Sequence, residues 1–135
     1  MKYLFIIFLF SFSISISHHR YLEEVDSLKN VMYKLTPKAR PYHLVNAEVY
    51  RRFRFYNRDS AKYYLDEGIK LAEKYKLDTA MRDYHNLLGL YYFDLGEFDK
   101  ALSYFYLCME YSYKLVDYGA VGYSYNDVGY VFYVQ

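Results

Sequence analysis

Apolar residues recur at spacings of three and four along most of this chain, the signature of amphipathic helices. The first such run is Tyr21, Leu22, Val25, Leu28, Met32 and Leu35. Thr36-Pro37 ends it, because a residue before proline is pushed out of the helical region. A second run passes through Leu44, Ala47, Val49, Tyr50 and Phe53 and stops near Asn57-Arg58-Asp59-Ser60, a cluster able to cap the following helix. That next helix carries Ala61, Tyr64, Leu65, Ile69, Leu71 and Ala72, and a further one Ala80, Tyr84, Leu87, Leu88, Tyr91 and Tyr92. The latter meets a glycine turn at Leu95-Gly96-Glu97-Phe98, beyond which Ala101, Leu102, Phe105 and Met109 resume the pattern. No segment alternates with period two for long enough to form a sheet. The pattern predicts an all-α chain with five full helices and part of a sixth, joined by short turns.

The amino terminus has a different pattern. Met1-Lys2 precedes the apolar run Tyr3 to Phe12, then Ser-Ile-Ser-Ile-Ser, before charge begins at His18-His19-Arg20. A short apolar stretch ending in small residues, with Ser15 and Ser17 before the cut, is the pattern of a secretory signal peptide over 1–17. The competing reading is an uncleaved anchor or a buried first helix. Even extended to Ile16 the run is about 14 residues, short of the roughly 20 a spanning helix requires. Export to the periplasm or cell envelope of a bacterium is therefore expected. Membrane contact is expected only through this segment or a span further downstream.

Shifted by forty residues, the chain aligns with itself. Asp59 falls on Asp99, Ala61 on Ala101, Tyr64 on Tyr104, Lys74 on Lys114 and Ala80 on Ala120. Further on, Asn86 falls on Asn126, Leu88 on Val128, Gly89 on Gly129 and Tyr92 on Phe132. A fixed period of this size means stacked helix–turn–helix units, each unable to bury its apolar face alone. In one unit the spacing reads His85-x-x-Leu88-Gly89-x-x-Tyr92, then Ala101-x-x-x-Phe105, with Gly96, Phe98 and Asp99 in the turn. This resembles the tetratricopeptide repeat, with His85 and Tyr125 in the place of its tryptophan and Tyr113 in the place of its terminal proline. The resemblance covers about 42–135 and implies an α-solenoid of antiparallel helix pairs. The units are about 42–77, 78–117 and an incomplete 118–135, after a leading helix and connector over 18–41. An array that ends in an aromatic helix without a polar cap is expected to be part of a longer protein.

Composition narrows the function. The chain is 54% hydrophobic and 23% aromatic, with 21 Tyr, 10 Phe and no Trp, which excludes a disordered chain. Seventeen basic and sixteen acidic residues leave a net charge of +1, so the electrostatic footprint of a nucleic-acid partner is missing. The single Cys108 cannot form an internal disulfide and lies among Phe105, Leu107 and Met109, as a buried thiol would. His85 stands at a packing position, where a core histidine with a hydrogen bond is expected. The adjacent His18-His19 is the one histidine pair, and neither a metal nor any other cofactor is expected. No P-loop, G-x-S-x-G, HExxH or dinucleotide fingerprint occurs, and no enzyme is expected.

The resemblance points to a groove lined by the first helix of each unit. It implies groove positions Asp83, Asn86, Leu90 and Phe93, and in the next unit Tyr123, Asn126, Tyr130 and Tyr133. Asn86 and Asn126 share one repeat phase, and an amide can donate to and accept from a peptide backbone. Bonds to neighbouring turns or water are the competing role for both asparagines. The expected function is a non-enzymatic module that binds a peptide or protein, similar to the exported sensor regions of bacterial signalling proteins. The alternative is a structural repeat that assembles with copies of itself.

Overall fold

The computed structural model describes residues 20–135, so the expectations for 1–17 lie outside the described residues. Those residues form six helices: α1 over 20–33, α2 (Arg40–Phe53), α3 (Arg58–Tyr75), α4 (Asp78–Asp94), α5 (Phe98–Lys114) and α6 (Tyr118–Val134). No strand occurs among them. Each helix packs against the next from α2 to α6, and α2 also touches α4. No described helix is long and apolar enough to cross a membrane.

The period of forty divides into two equal halves. Helices α3, α4, α5 and α6 start at 58, 78, 98 and 118, each twenty residues after the last. The last three start points follow turns closed by the same two hydrogen bonds. Leu77, Glu97 and Asp117 donate their N–H to the carbonyls of Ala72, Tyr92 and Ser112, all at 2.9 Å. The residues before them, Lys76, Gly96 and Val116, donate to Glu73, Phe93 and Tyr113 and have positive φ. This is the Schellman motif, which satisfies helix-end carbonyls at the expense of one left-handed residue. Only Gly96 takes that conformation without strain. The turn into α3 has no left-handed residue and is instead capped by Asn57, whose side chain accepts from the Ser60 N–H at 2.9 Å.

The core lies in three linked clusters. Met32 from α1 joins Tyr42 and Val49 of α2 and Tyr64 of α3. Tyr50, Leu65, Tyr84 and Leu87 centre the second, and Ala101, Phe105, Val128 and Val131 the third. Gly89 sits on α4 where the Phe105 ring of α5 lies directly on its backbone, so a Cβ there would collide with the ring. Gly68 of α3 is equally tight against the Tyr84 hydroxyl. Leu22 and Leu44, expected on buried faces, are 42% and 51% exposed.

Two substitutions check this packing. Gly89→Leu must displace Phe105 from a filled core and should cost about 1–3 kcal/mol in a denaturant or thermal melt. Val116 is β-branched at φ 56°, a backbone region that penalises L side chains by about 1–2 kcal/mol. Val116→Gly should therefore raise stability by roughly 1 kcal/mol in the same measurement, and a lowered midpoint would contradict the turn geometry.

Candidate functional site

The even-numbered helices α2, α4 and α6 contribute to one cavity of about 500 Å³. Arg51 comes from α2, Arg82, Asp83 and Asn86 from α4, and Tyr123, Ser124, Asn126 and Asp127 from α6. Cys108 reaches it from α5, and Asp117 and Ala120 close the end at the start of α6. The amphipathic pattern explains this arrangement. Ala80, Tyr84, Leu87 and Leu88 of α4 turn towards the core, which leaves the polar positions Asp83 and Asn86 on another side of the helix.

Polar ties hold α4 and α6 around the cavity. Arg82 Nη1 donates to Asp117 Oδ2 at 2.6 Å, while its Nε and Nη2 donate to Asp83 Oδ1 at 3.0 and 2.7 Å. One guanidinium thus serves two carboxylates. Asp117 in turn accepts from the Ala120 N–H at 3.0 Å, and this cap, with Arg82 beside it, holds its carboxyl below the usual range. Asn86 Nδ2 donates to Asp127 Oδ2 at 2.8 Å. Burial pushes the Asp127 carboxyl above its usual range, and the Asn86 amide opposes that shift.

The expected groove residues divide into two groups. Asp83, Asn86, Tyr123 and Asn126 line the cavity. The Asn86 amide is already engaged by Asp127, whereas no hydrogen bond among the described residues engages Asn126. Tyr123 is 77% exposed at the cavity. Leu90, Phe93 and Tyr130 do not line it. Leu90 and Phe93 pack against the cluster shared by α5 and α6. The rings of Phe93 and Tyr130 meet with centroids 5.3 Å apart, and Tyr130 reaches Tyr133 at 6.4 Å. Leu90 and Phe93 lie one and two turns beyond Asn86 on nearly the same face of α4, past the end of the cavity, where apolar groups gain by burial against α5 and α6.

Four polar residues of this region carried no expectation. The ties that carry Arg82 to Asp117 and Asn86 to Asp127 span 35 and 41 residues and leave no local pattern, although Asp117 also caps Ala120 locally. Asn46 stands forty residues before Asn86, a repeat relation visible in the chain itself. It is fully buried, accepts from the Tyr84 hydroxyl at 2.9 Å, and faces Met32 Sδ at 3.7 Å. The Tyr84 hydroxyl also lies 3.0 Å from His43 Nδ1, and the Pro37 carbonyl accepts from His43 Nε2 at 2.8 Å. Burial drives the Tyr84 phenol above its ordinary range and holds the His43 imidazole below its own. The first asparagine of the series thus serves the core.

Cys108 is buried, and the Ser124 hydroxyl donates to its sulfur at 3.3 Å. Burial raises its thiol, which disfavours the reactive thiolate. His85 departs from expectation, because its buried Nδ1 has no hydrogen-bond partner. Its ring lies beside Tyr104 and Tyr111, with centroids at 6.1 and 5.2 Å. No group of His, Cys, Asp or Glu among the described residues could hold a metal ion.

Compared with known proteins, the chain matches no family model, no curated protein and no solved structure.

The histidines make stability depend on pH. Burial lowers the His85 imidazole, against weaker upward pulls from Glu73 and Glu110. Between its folded value and the unfolded value of about 6.5, the unfolded chain binds more protons, so stability is complete above that range and declines as pH falls through it. His85→Phe should remove part of the decline. Denaturant midpoints measured from about pH 7.5 to about pH 5 should fall less steeply in the variant, and equal slopes would refute the assignment.

Proposed function

We propose that this chain is an exported, non-enzymatic interaction module of the tetratricopeptide type, an α-solenoid that takes an extended peptide or protein segment into the groove between α2, α4 and α6. The observation that carries this reading is the convergence of Asp83, Asn86, Tyr123 and Asn126 on one cavity formed by alternate helices. The repeated turns at 77, 97 and 117 support the solenoid, because equal units stacked through equal turns keep alternate helices on one side.

The cavity's chemistry favours binding over catalysis. Arg82 is spent on Asp83 and Asp117, and the Cys108 thiol is kept protonated by burial. What remains for a ligand is the Asn126 amide, the Tyr123 ring and the remaining acceptor capacity of Asp127. An amide suits a backbone carbonyl and N–H together, and a tyrosine offers contact area at small entropic cost. By the resemblance, the module is the sensor or scaffold part of a longer signalling protein, with export directed by residues 1–17.

The test is selection from a displayed random-peptide library on the full chain, followed by titration of the selected peptides. Asn126→Ala and Tyr123→Ala should each weaken binding by about 1–2 kcal/mol without changing the melting midpoint. Peptides whose affinity ignores both substitutions would place binding elsewhere and overturn the proposal.

A further inference from the structure

We infer that the cavity is selective for a primary ammonium on an alkyl stem, and that a lysine side chain of the bound segment seats it against Asp127. This rests on the groove proposed above and names the chemistry it selects. Three carboxylates and two guanidiniums line the cavity, and their pairing is uneven. Arg82 donates to both Asp83 and Asp117, and the half-exposed Arg51 lies 3.5 Å from Glu48. Of the lining carboxylates, Asp127 alone has no cation beside it among the described residues. Burial raises its carboxyl with only the Asn86 amide in opposition, as befits a carboxylate without a counter-charge.

The uncommitted atoms of the cavity are mainly acceptors. Asp127 accepts from Asn86 through Oδ2, which leaves Oδ1. Asp83 accepts both bonds of Arg82 through Oδ1, which leaves Oδ2. The Asn126 carbonyl oxygen has no donor among the described residues either. One wall, α4, thus presents one open acceptor, and the other, α6, presents two. An ammonium carries three rotatable N–H donors and no acceptor, which matches this set. A guanidinium fork takes both oxygens of one carboxylate, and neither Asp83 nor Asp127 has both open. Lysine is therefore favoured over arginine.

The surroundings suit the rest of such a side chain. Tyr123 stands four residues before Asp127 on α6, so its exposed ring shares a helix face with the carboxylate. A cation held there gains from the ring as well as from the charge. Ala120 and Cys108 give the methylene stem an apolar wall. Asp127 is partly buried, so the ion pair is screened less than one at the surface.

NMR titration of the full chain with three small probes tests this, read at the side-chain amides of Asn86 and Asn126. Nα-acetyl-lysine methylamide carries its ammonium on a side chain, and norleucine methylamide carries it at the chain end. Nα-acetyl-norleucine methylamide has none. The lysine probe should bind at least about tenfold more tightly than either of the others. Asp127→Asn, whose carbonyl can still accept from Asn86, should abolish that preference with the melt retained. Tyr123→Leu, at an exposed position, should weaken the lysine probe about threefold and the uncharged probe less. Equal affinity for the lysine and uncharged probes, or a preference that survives Asp127→Asn, would overturn the inference. Tighter binding of the chain-end amine would overturn the lysine assignment. Peptides that bind through Asn126 and Tyr123 without favouring lysine would also overturn it, yet leave the groove standing. A lysine probe bound at Asp127, with no peptide selected, would keep the ammonium seat and remove the peptide reading.

Discussion

The contact on which the rest of this structure depends is a ring lying on a bare backbone. Phe105 occupies the space that a side chain at Gly89 would need, and the Tyr84 hydroxyl does the same at Gly68. Without a Cβ the paired helices approach closely, and the ring fills the space between them at crystalline density. Small residues complete the seats, since Ala61, Ala72 and Ala101 are all fully buried. Each contact couples two elements. Phe105 sits in the α4–α5 pairing yet belongs to the cluster that receives Val128 and Val131 of α6. Tyr84 presses on α3 while it bonds His43 and Asn46 of α2. Loss of either seat would therefore disturb three helices.

Sequence neighbours pack mainly through apolar faces, while alternate helices are held by polar ties as well as by ring contacts such as Phe93 with Tyr130. Between α2 and α4 run the Tyr84–Asn46 bond and the paired contacts of Arg54 with Asp94, one of them at 2.7 Å. Between α4 and α6 run Arg82–Asp117 and Asn86–Asp127. Neighbouring helices can close on each other because hairpin turns bring apolar faces together. Alternate helices meet along sides that are partly wet, where charge-assisted bonds give direction that apolar contact lacks. The cavity opens there because α4 and α6 are linked through side chains of finite length. The polar ties thus set the width of the groove, and the glycine seats set the spacing of the walls behind it.

Much of the helical layout was legible in the sequence. The three-and-four spacing marks helices, the Asn57 cluster caps α3, and the Gly89 and Phe105 positions meet as the repeat spacing implies. These signals are local or periodic. Leu44 misled because apolar identity alone does not say which side of α2 faces the core. Leu90 and Phe93 were placed in the groove by spacing from Gly89, but their apolar character draws them to α5 and α6. The long-range ion pairs left no trace, because an arginine and an aspartate forty residues apart look like any two surface charges. The left-handed Val116 was equally hidden. A β-branched residue argues against that conformation, and only its repeat relation to Lys76 marks the turn.

The richness in tyrosine fits a repeat whose equivalent positions meet different surroundings. A phenol can be buried with its hydroxyl satisfied, as in Tyr50, which donates to the Leu87 carbonyl at 3.1 Å, or it can stay partly wet at little cost. Along α4 the aromatic face is roofed by α5, whereas its counterpart on α6 is exposed among the described residues. The same sequence pattern is therefore covered in one unit and exposed in the next among the described residues. Phenylalanine or leucine at all of these places would leave a wholly apolar exposed stripe, a liability for any chain. What packs on a helix, more than its composition, decides whether its aromatic face is buried, as α5 does for His85, Gly89 and Tyr92 of α4.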